Sequence, residues 1–333
     1  MEKKINKPER VHWLDIGKGI AMLFVMLSHT IWVPDIYGQF FRPIYLSFFF
    51  CASGYVFSLK KNFKSFVVNK CRTLLMPLIT LSIINFVSSQ VISVHEHDLK
   101  EDIIGTILQI RGKNDYMWFV ACLFVAEIVF YYIVRFIKGN YKWIIYILGF
   151  LYSFVLSRLG LGPFPWHIQT IGVAVFFLGL GYEFKHNEEK LKPFFNAKCL
   201  LISGILYMML MVFKLYVLND WETVKVNNYG SNLFVWLSVS LIANWFFTQV
   251  IVRIDRCRWL EFIGKNTLIY FAFQFKFQRI FEILVNKTRL INLPCSKWYI
   301  SFISVAFEAV CLAGVAIIFN RYLYFLLGKK KQS

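Results

Sequence analysis

The stretch Trp13-Leu14-Asp15-Ile16-Gly17-Lys18-Gly19-Ile20-Ala21-Met22-Leu23-Phe24-Val25-Met26-Leu27-Ser28-His29-Thr30-Ile31-Trp32 decides the fold class. It is mostly apolar and has the length of a helix that crosses a hydrocarbon core, yet it carries a lysine and a histidine. Lys18 and His29 are separated by three helical turns plus only about 20°, so they share one face, roughly 16 Å apart along the axis. Ionisable groups at membrane depth are costly and generally face a protein interior or a watery cavity. Two on one stripe predict a site that runs from one leaflet toward the other.

Composition extends this reading to the whole chain. The sequence is 58% hydrophobic and 17% charged, with a mean hydropathy of +0.55, where a soluble domain carries about a quarter charged residues. Apolar runs recur near 13–33, 40–59, 73–94, 116–136, 143–158, 167–184, 198–218, 232–252, 264–285 and 299–327. The expectation is an all-α, polytopic membrane protein of about ten transmembrane helices. Residues 1–333 form one domain, with short tails at 1–12 and 328–333. The net charge of +18 sits in alternate connecting segments: with the adjoining span ends counted, the tails and even-numbered gaps hold 24 Lys and Arg, the odd-numbered gaps 9. That asymmetry predicts both termini in the cytoplasm. It accounts for the charge through topology and attraction to anionic lipid, with no nucleic-acid partner. The first apolar run is too long for a signal-peptide core and is expected to remain as an anchor in the cell membrane. The seven cysteines show no CxxC pair or metal-ligand spacing, so no metal site is expected. The polar loop His95–Asp115 reads as solvated, and loop 219–231 is expected on the same outer side.

Four constellations could carry chemistry. Asp15, Lys18 and His29 form the first: Asp15 and Lys18 can pair across one turn. The alternative is that Lys18 and His29 snorkel to opposite interfaces. In the second, Ser47 to Tyr55, small Ser53 and Gly54 permit close helix approach. The third is the basic run Lys60, Lys61, Lys64, Lys70 and Arg72 before Pro77; the Arg72 fork suits phosphate, and positive-inside signalling explains the run equally well. The fourth is a scatter of intramembrane ions, Glu127, Lys214, Lys276, Arg279, Glu282 and Glu308. Arg279 and Glu282 make an i,i+3 pair, and some of the others must neutralise one another.

Taken in order, these segments resemble the acyltransferase-3 family, membrane enzymes that O-acylate carbohydrates. The matching residues are Trp13-Leu-Asp-Ile-Gly-Lys18 through His29; Phe48-Phe-Phe-Cys-Ala-Ser-Gly-Tyr55; Arg72 through Pro77; Tyr116-Met-Trp118-Phe119 through Glu127; Phe176 to Tyr182; and Ile263 to Tyr270. Family members often carry a second histidine before the aromatic run, where this chain has Tyr45-Leu46-Ser47. Many have another after the late tyrosine, where this chain has Gln274. These departures look like the branch of fucose and related sugar O-acetylases.

The resemblance implies acyl transfer, with acetyl-CoA or another acyl-CoA as co-substrate, no bound cofactor, and a surface or lipid-linked saccharide as acceptor. His29 is then the general base or acyl relay. Lys18 is catalytic and donor-binding, and Arg72 holds donor phosphates. Tyr45, Ser53, Trp118 and Glu127 are expected along the acceptor or acyl tunnel, with Glu127 paired to Lys18 or another buried base. The rivals are a flippase for lipid-linked sugars, using Lys18, Lys276 and Arg279 on a pyrophosphate, and a polysaccharide polymerase.

Overall fold

The computed structural model describes residues 11–59, 62–92, 98–110, 116–221, 229–230, 232–287 and 298–329. Lys60, Lys61, Cys295 and most of both tails lie outside the described residues, as do 93–97, 111–115 and 222–228 of the two polar loops. All regular structure among the described residues is helical. The chain runs through α1 (His12–His29), α2 (Asp35–Tyr55), α3 (Phe63–Lys70), a π-turn (Cys71–Leu75) and α4 (Met76–Ile92). It continues through α5 (Leu99–Leu108), α6 (Trp118–Phe136), α7 (Tyr141–Arg158), α8 (Ile171–His186) and the single turn α9 (Glu188–Leu191). It ends with α10 (Ala197–Val212), α11 (Leu233–Ile251), α12 (Arg258–Lys265), α13 (Thr267–Lys287) and α14 (Trp298–Arg321).

Among the described residues, six segments are long and apolar enough to cross a membrane: 63–89, 118–136, 165–186, 197–217, 233–251 and 298–321. Their outward faces are apolar as well as their inward ones. Leu201, Ile202 and Met209 on α10 and Val310 on α14 are each more than 60% exposed. Water does not tolerate such a surface, but lipid does. This is a multi-pass membrane protein. Four more helices, α1, α2, α7 and α13, have 18 to 21 residues but dilute their apolar length with polar and charged side chains.

Two sequence expectations are corrected. The basic run before Pro77 is helical from Phe63 onward: Asn62 caps α3 by accepting from the Ser65 amide (2.9 Å), so Lys64 and Lys70 lie on a helix and Arg72 on the π-turn that joins it to α4. The polar loop between α4 and α6 contains α5, whose acidic first turn (Glu101, Asp102) suits the positive end of a helix.

We call the end of the bundle where α1 begins basal and the end where it stops apical. α1 and α2 are central. α1 packs on α12, α2 and α13, and α2 packs on α8 and α11. One apolar core gathers α2, α6, α7 and α8; a second joins α1, α4, α6, α13 and α14; a third joins α1, α2, α10 and α11. Glycine permits the tightest crossings. A side chain at Gly19 would collide with the Leu260 carbonyl, and one at Gly264 with the Asp15 carbonyl, so α1 and α12 meet backbone to backbone. α2 and α8 do the same at Gly54 against Leu178 and Gly181 against Cys51.

Gly54→Ala must push α2 and α8 apart and should cost about 1–3 kcal/mol, read as a lower melting temperature in detergent. Gly314→Ala, where nothing lies within 4 Å of the new methyl, should leave the melting temperature unchanged or raise it.

Candidate active site

His29 is the last residue of α1, where backbone carbonyls lack intrahelical partners. Its Nδ1 lies 2.7 Å from the Val25 carbonyl. A carbonyl only accepts, so the proton is on Nδ1, and in the neutral ring Nε2 is the basic nitrogen. Ser28 Oγ donates to the same carbonyl (2.9 Å) and is 3.3 Å from the Tyr45 hydroxyl, so α2 brings Tyr45 to the His29 end of α1.

From the other side α13 holds the histidine twice. Phe275 meets the imidazole edge-on with centroids 4.9 Å apart, and Gln278 Nε2 donates to the His29 carbonyl. Phe275 also touches the ring of Tyr116 (5.8 Å), at the approach to α6. Phe275, Gln278, Ser28 and Tyr116 were not singled out as site residues by sequence reasoning. The contacts join segments up to about 250 residues apart, and no local pattern encodes them.

Three turns toward the basal end, Lys18 pairs with Asp15 at 2.7 Å. Asp15 is buried, whereas the Lys18 side chain keeps 26% of its surface exposed. Between Lys18 and His29 the same face carries Met22 and Val25, both in the core shared with α4 and α6. The middle of the stripe therefore faces the bundle interior, with Lys18 partly buried at the basal end and His29 exposed at the apical end.

The remaining candidates separate. Glu127, 2% exposed, pairs with Lys70 of α3 at 2.5 Å, not with Lys18. Arg72 is exposed at the basal end, and its Nε donates to the Gly328 carbonyl (2.8 Å). Ser53 lies about 12 Å along α2 from Tyr45, beside the Gly54 crossing. Trp118 opens α6 and packs at 4.7 Å against the tilted ring of His167, a buried residue with φ of 54°.

Other intramembrane ions find local partners. Lys214 bonds the Asp220 carbonyl (2.7 Å), Arg279 pairs with Glu282 (3.0 Å) as the i,i+3 spacing predicts, and Glu308 accepts from Ser304 (2.8 Å). Lys276 bonds the Asn85 carbonyl (3.1 Å) and Ser89 Oγ (2.8 Å). Gln274 is 1% exposed, and neither of its amide atoms is bonded to a described residue. At the basal surface Lys265, foremost, and His12 hold the Glu261 carboxyl below the usual carboxylate range through hydrogen bonds.

A family model described as an acyltransferase domain matches residues 11–324, nearly the whole chain. The chain belongs to the acyltransferase-3 family. The match covers both ends of the α1 stripe and every element that holds it, so this is a membrane acyltransferase. No curated protein and no solved structure matches it. As an acyltransferase it must activate a nucleophile and hold an acyl donor. The apical imidazole, with its basic nitrogen fixed by the Val25 bond, suits the first task. The partly exposed basal Lys18 suits the second.

Lys70→Met strands a buried carboxylate at Glu127 and should cost about 3–5 kcal/mol. The double variant Lys70→Met/Glu127→Gln should recover most of this. Thermal unfolding of the three proteins in detergent measures the coupling.

Proposed function

We propose that this acyltransferase moves an acyl group, acetyl in the simplest case, from cytoplasmic acyl-CoA to a hydroxyl of a cell-surface or lipid-linked saccharide. The observation that carries the proposal is the Nδ1 bond of His29 to Val25, which leaves Nε2 basic at the apical end of the stripe that starts at Lys18. Nε2 takes the proton of the acceptor hydroxyl as its oxygen attacks the acyl carbonyl carbon. The carbon–sulfur bond then breaks, and the departing thiolate takes up a proton as CoA leaves. General base catalysis of this kind contributes about 10²–10⁴-fold. Lys18 meets the donor's phosphates at the basal end, helped by the Nη groups of Arg72. The stripe's length, roughly 16 Å, is on the scale of an extended pantetheine arm, so a donor held at Lys18 can present its thioester near His29. Tyr45, bonded to Ser28, and Trp118 line the acceptor side. Glu127, tied to Lys70, and Ser53, at a helix crossing, support the bundle around them. The departures at Tyr45 and Gln274 favour the fucose-type branch and a sugar acceptor.

The flippase reading needs Lys18, Lys276 and Arg279 together on a pyrophosphate. Lys18 stands at the basal end of α1, whereas Lys276 follows Phe275 beside the apical His29 and Arg279 is paired with Glu282, so the set is not assembled. We propose ten spans, made of the six apolar segments and α1, α2, α7 and α13, with the basal face cytoplasmic as the distribution of Lys and Arg requires. A reporter that fluoresces only in the cytoplasm should be bright when fused after Ser333; a dark fusion reverses the orientation.

The deciding experiment is NMR of surface glycan from a deletion strain carrying wild-type protein, His29→Ala or no insert. Acyl signals should be present with wild type and absent from the other two. In membranes His29→Ala should slow acetyl-CoA-dependent CoA release by 10²-fold or more. Full acylation by His29→Ala removes the base role, and unchanged acylation with collapsed glycan export in the deletion strain favours transport.

A further inference from the structure

Among the charges carried into the bundle, Lys276 stands apart. Its Nζ is held by two neutral oxygens of α4, the Asn85 carbonyl and Ser89 Oγ, and lies 5.8 Å from the centroid of the Tyr116 ring. No carboxylate among the described residues pairs with it, whereas Asp15, Glu127, Asp220 and Glu282 each sit against another base. The nearest charged neighbour along the helix, Arg279, is taken by Glu282. An ammonium has three donors. Two are used here, and neither partner carries a compensating charge.

The position of this cation matters. Lys276 follows Phe275, whose ring touches both His29 and Tyr116, and it precedes Gln278, which bonds the His29 carbonyl. The Tyr116 ring in turn lies under Lys276. The imidazole and the ammonium thus flank one patch of two aromatic rings at the same apical level of the bundle. Aromatic rings are the usual platforms for the apolar faces of sugars. An intramembrane cation that no protein carboxylate neutralises marks a substrate or ion site, and here the anion is left for a ligand to bring.

We propose that Lys276 is the anion-binding element of the acceptor site, and that the acceptor is an acidic saccharide. Its carboxylate or phosphate rests on Lys276, its ring packs on Phe275 and Tyr116, and a hydroxyl reaches His29. The proposal rests on the reading of His29 as the acceptor-side base, but its binding arm can be tested apart from that reading.

The full-length protein in detergent is titrated with methyl β-glucuronide, methyl β-glucoside and glucose 6-phosphate. The first two differ only in a carboxylate against a hydroxymethyl; the third presents a phosphate. At low salt at least one acid should bind about tenfold more tightly than the glucoside, and added sodium chloride should erase the difference. Which acid binds tells carboxylate from phosphate. Lys276→Gln keeps donors for Asn85 and Ser89 but loses the charge, and should bind all three alike. Lys276→Arg should keep the preference, and melting temperatures check that both variants fold. Equal binding of acids and glucoside by the wild type, or an acid preference that survives Lys276→Gln, overturns the proposal. So does a Lys276→Gln variant that slows CoA release equally with acidic and neutral sugars while leaving binding intact, because Lys276 would then act on the reaction and not on the acceptor. His29→Ala should retain the acid preference while losing transfer. If it transfers normally the base reading fails, and the anion site is judged on binding alone.

Discussion

Backbone contact at a few glycines sets the spacing on which the rest of the bundle depends. Gly19 and Gly264 bring α1 against α12, and Gly54 and Gly181 bring α2 against α8, each with a carbonyl where a side chain would otherwise stand. In lipid, where tails are as apolar as leucine, close packing of this kind replaces the hydrophobic drive that assembles a soluble core. It also fixes chemistry. With α1 clamped at its basal end through Asp15 and Gly264, the direction of the Lys18–His29 face is decided. With α2 pinned to α8, Tyr45 stands beside Ser28.

Charge is the second organiser. An ion in the apolar bundle is tolerated when another group answers it, and most do so across short distances: Asp15 with Lys18, Arg279 with Glu282, Lys214 with Asp220. The Lys70–Glu127 pair is different in reach, since it ties α3 to α6 across the interior. That pair braces the wall of the bundle between α3 and α6.

What could be read from the sequence follows from this. Helical periodicity is local, so the shared face of Lys18 and His29, the apolar runs and the Arg279–Glu282 pair were all visible as spacing. Small residues at 53 and 54 announced a close crossing, though not its partner. The start of α3 was hidden because a basic segment resembles a loop by composition, while a single Asn62 cap and the π-turn carry the helix through it. α5 was hidden in the same way by its acids. The partner of Glu127 and the grip of Phe275 and Gln278 on His29 depend on how distant helices meet, and a one-dimensional pattern does not contain that. The family resemblance supplied the order of the motifs but not these contacts.

The 3₁₀ turn Tyr324–Leu327, after α14, has a bearing on how the molecule is made. Arg72 bonds the Gly328 carbonyl, and Thr80 Oγ1 donates to the Leu326 carbonyl (2.8 Å), across sequence separations of 256 and 246 residues. Contacts this remote can form only after residues 326–328 have been synthesised. The junction of α3 and α4 therefore waits on residues made about 250 positions later. The Lys70–Glu127 pair, by contrast, needs only residues up to 127. The turn Tyr324–Leu327 works as a latch, joining α14 to the much earlier start of α4.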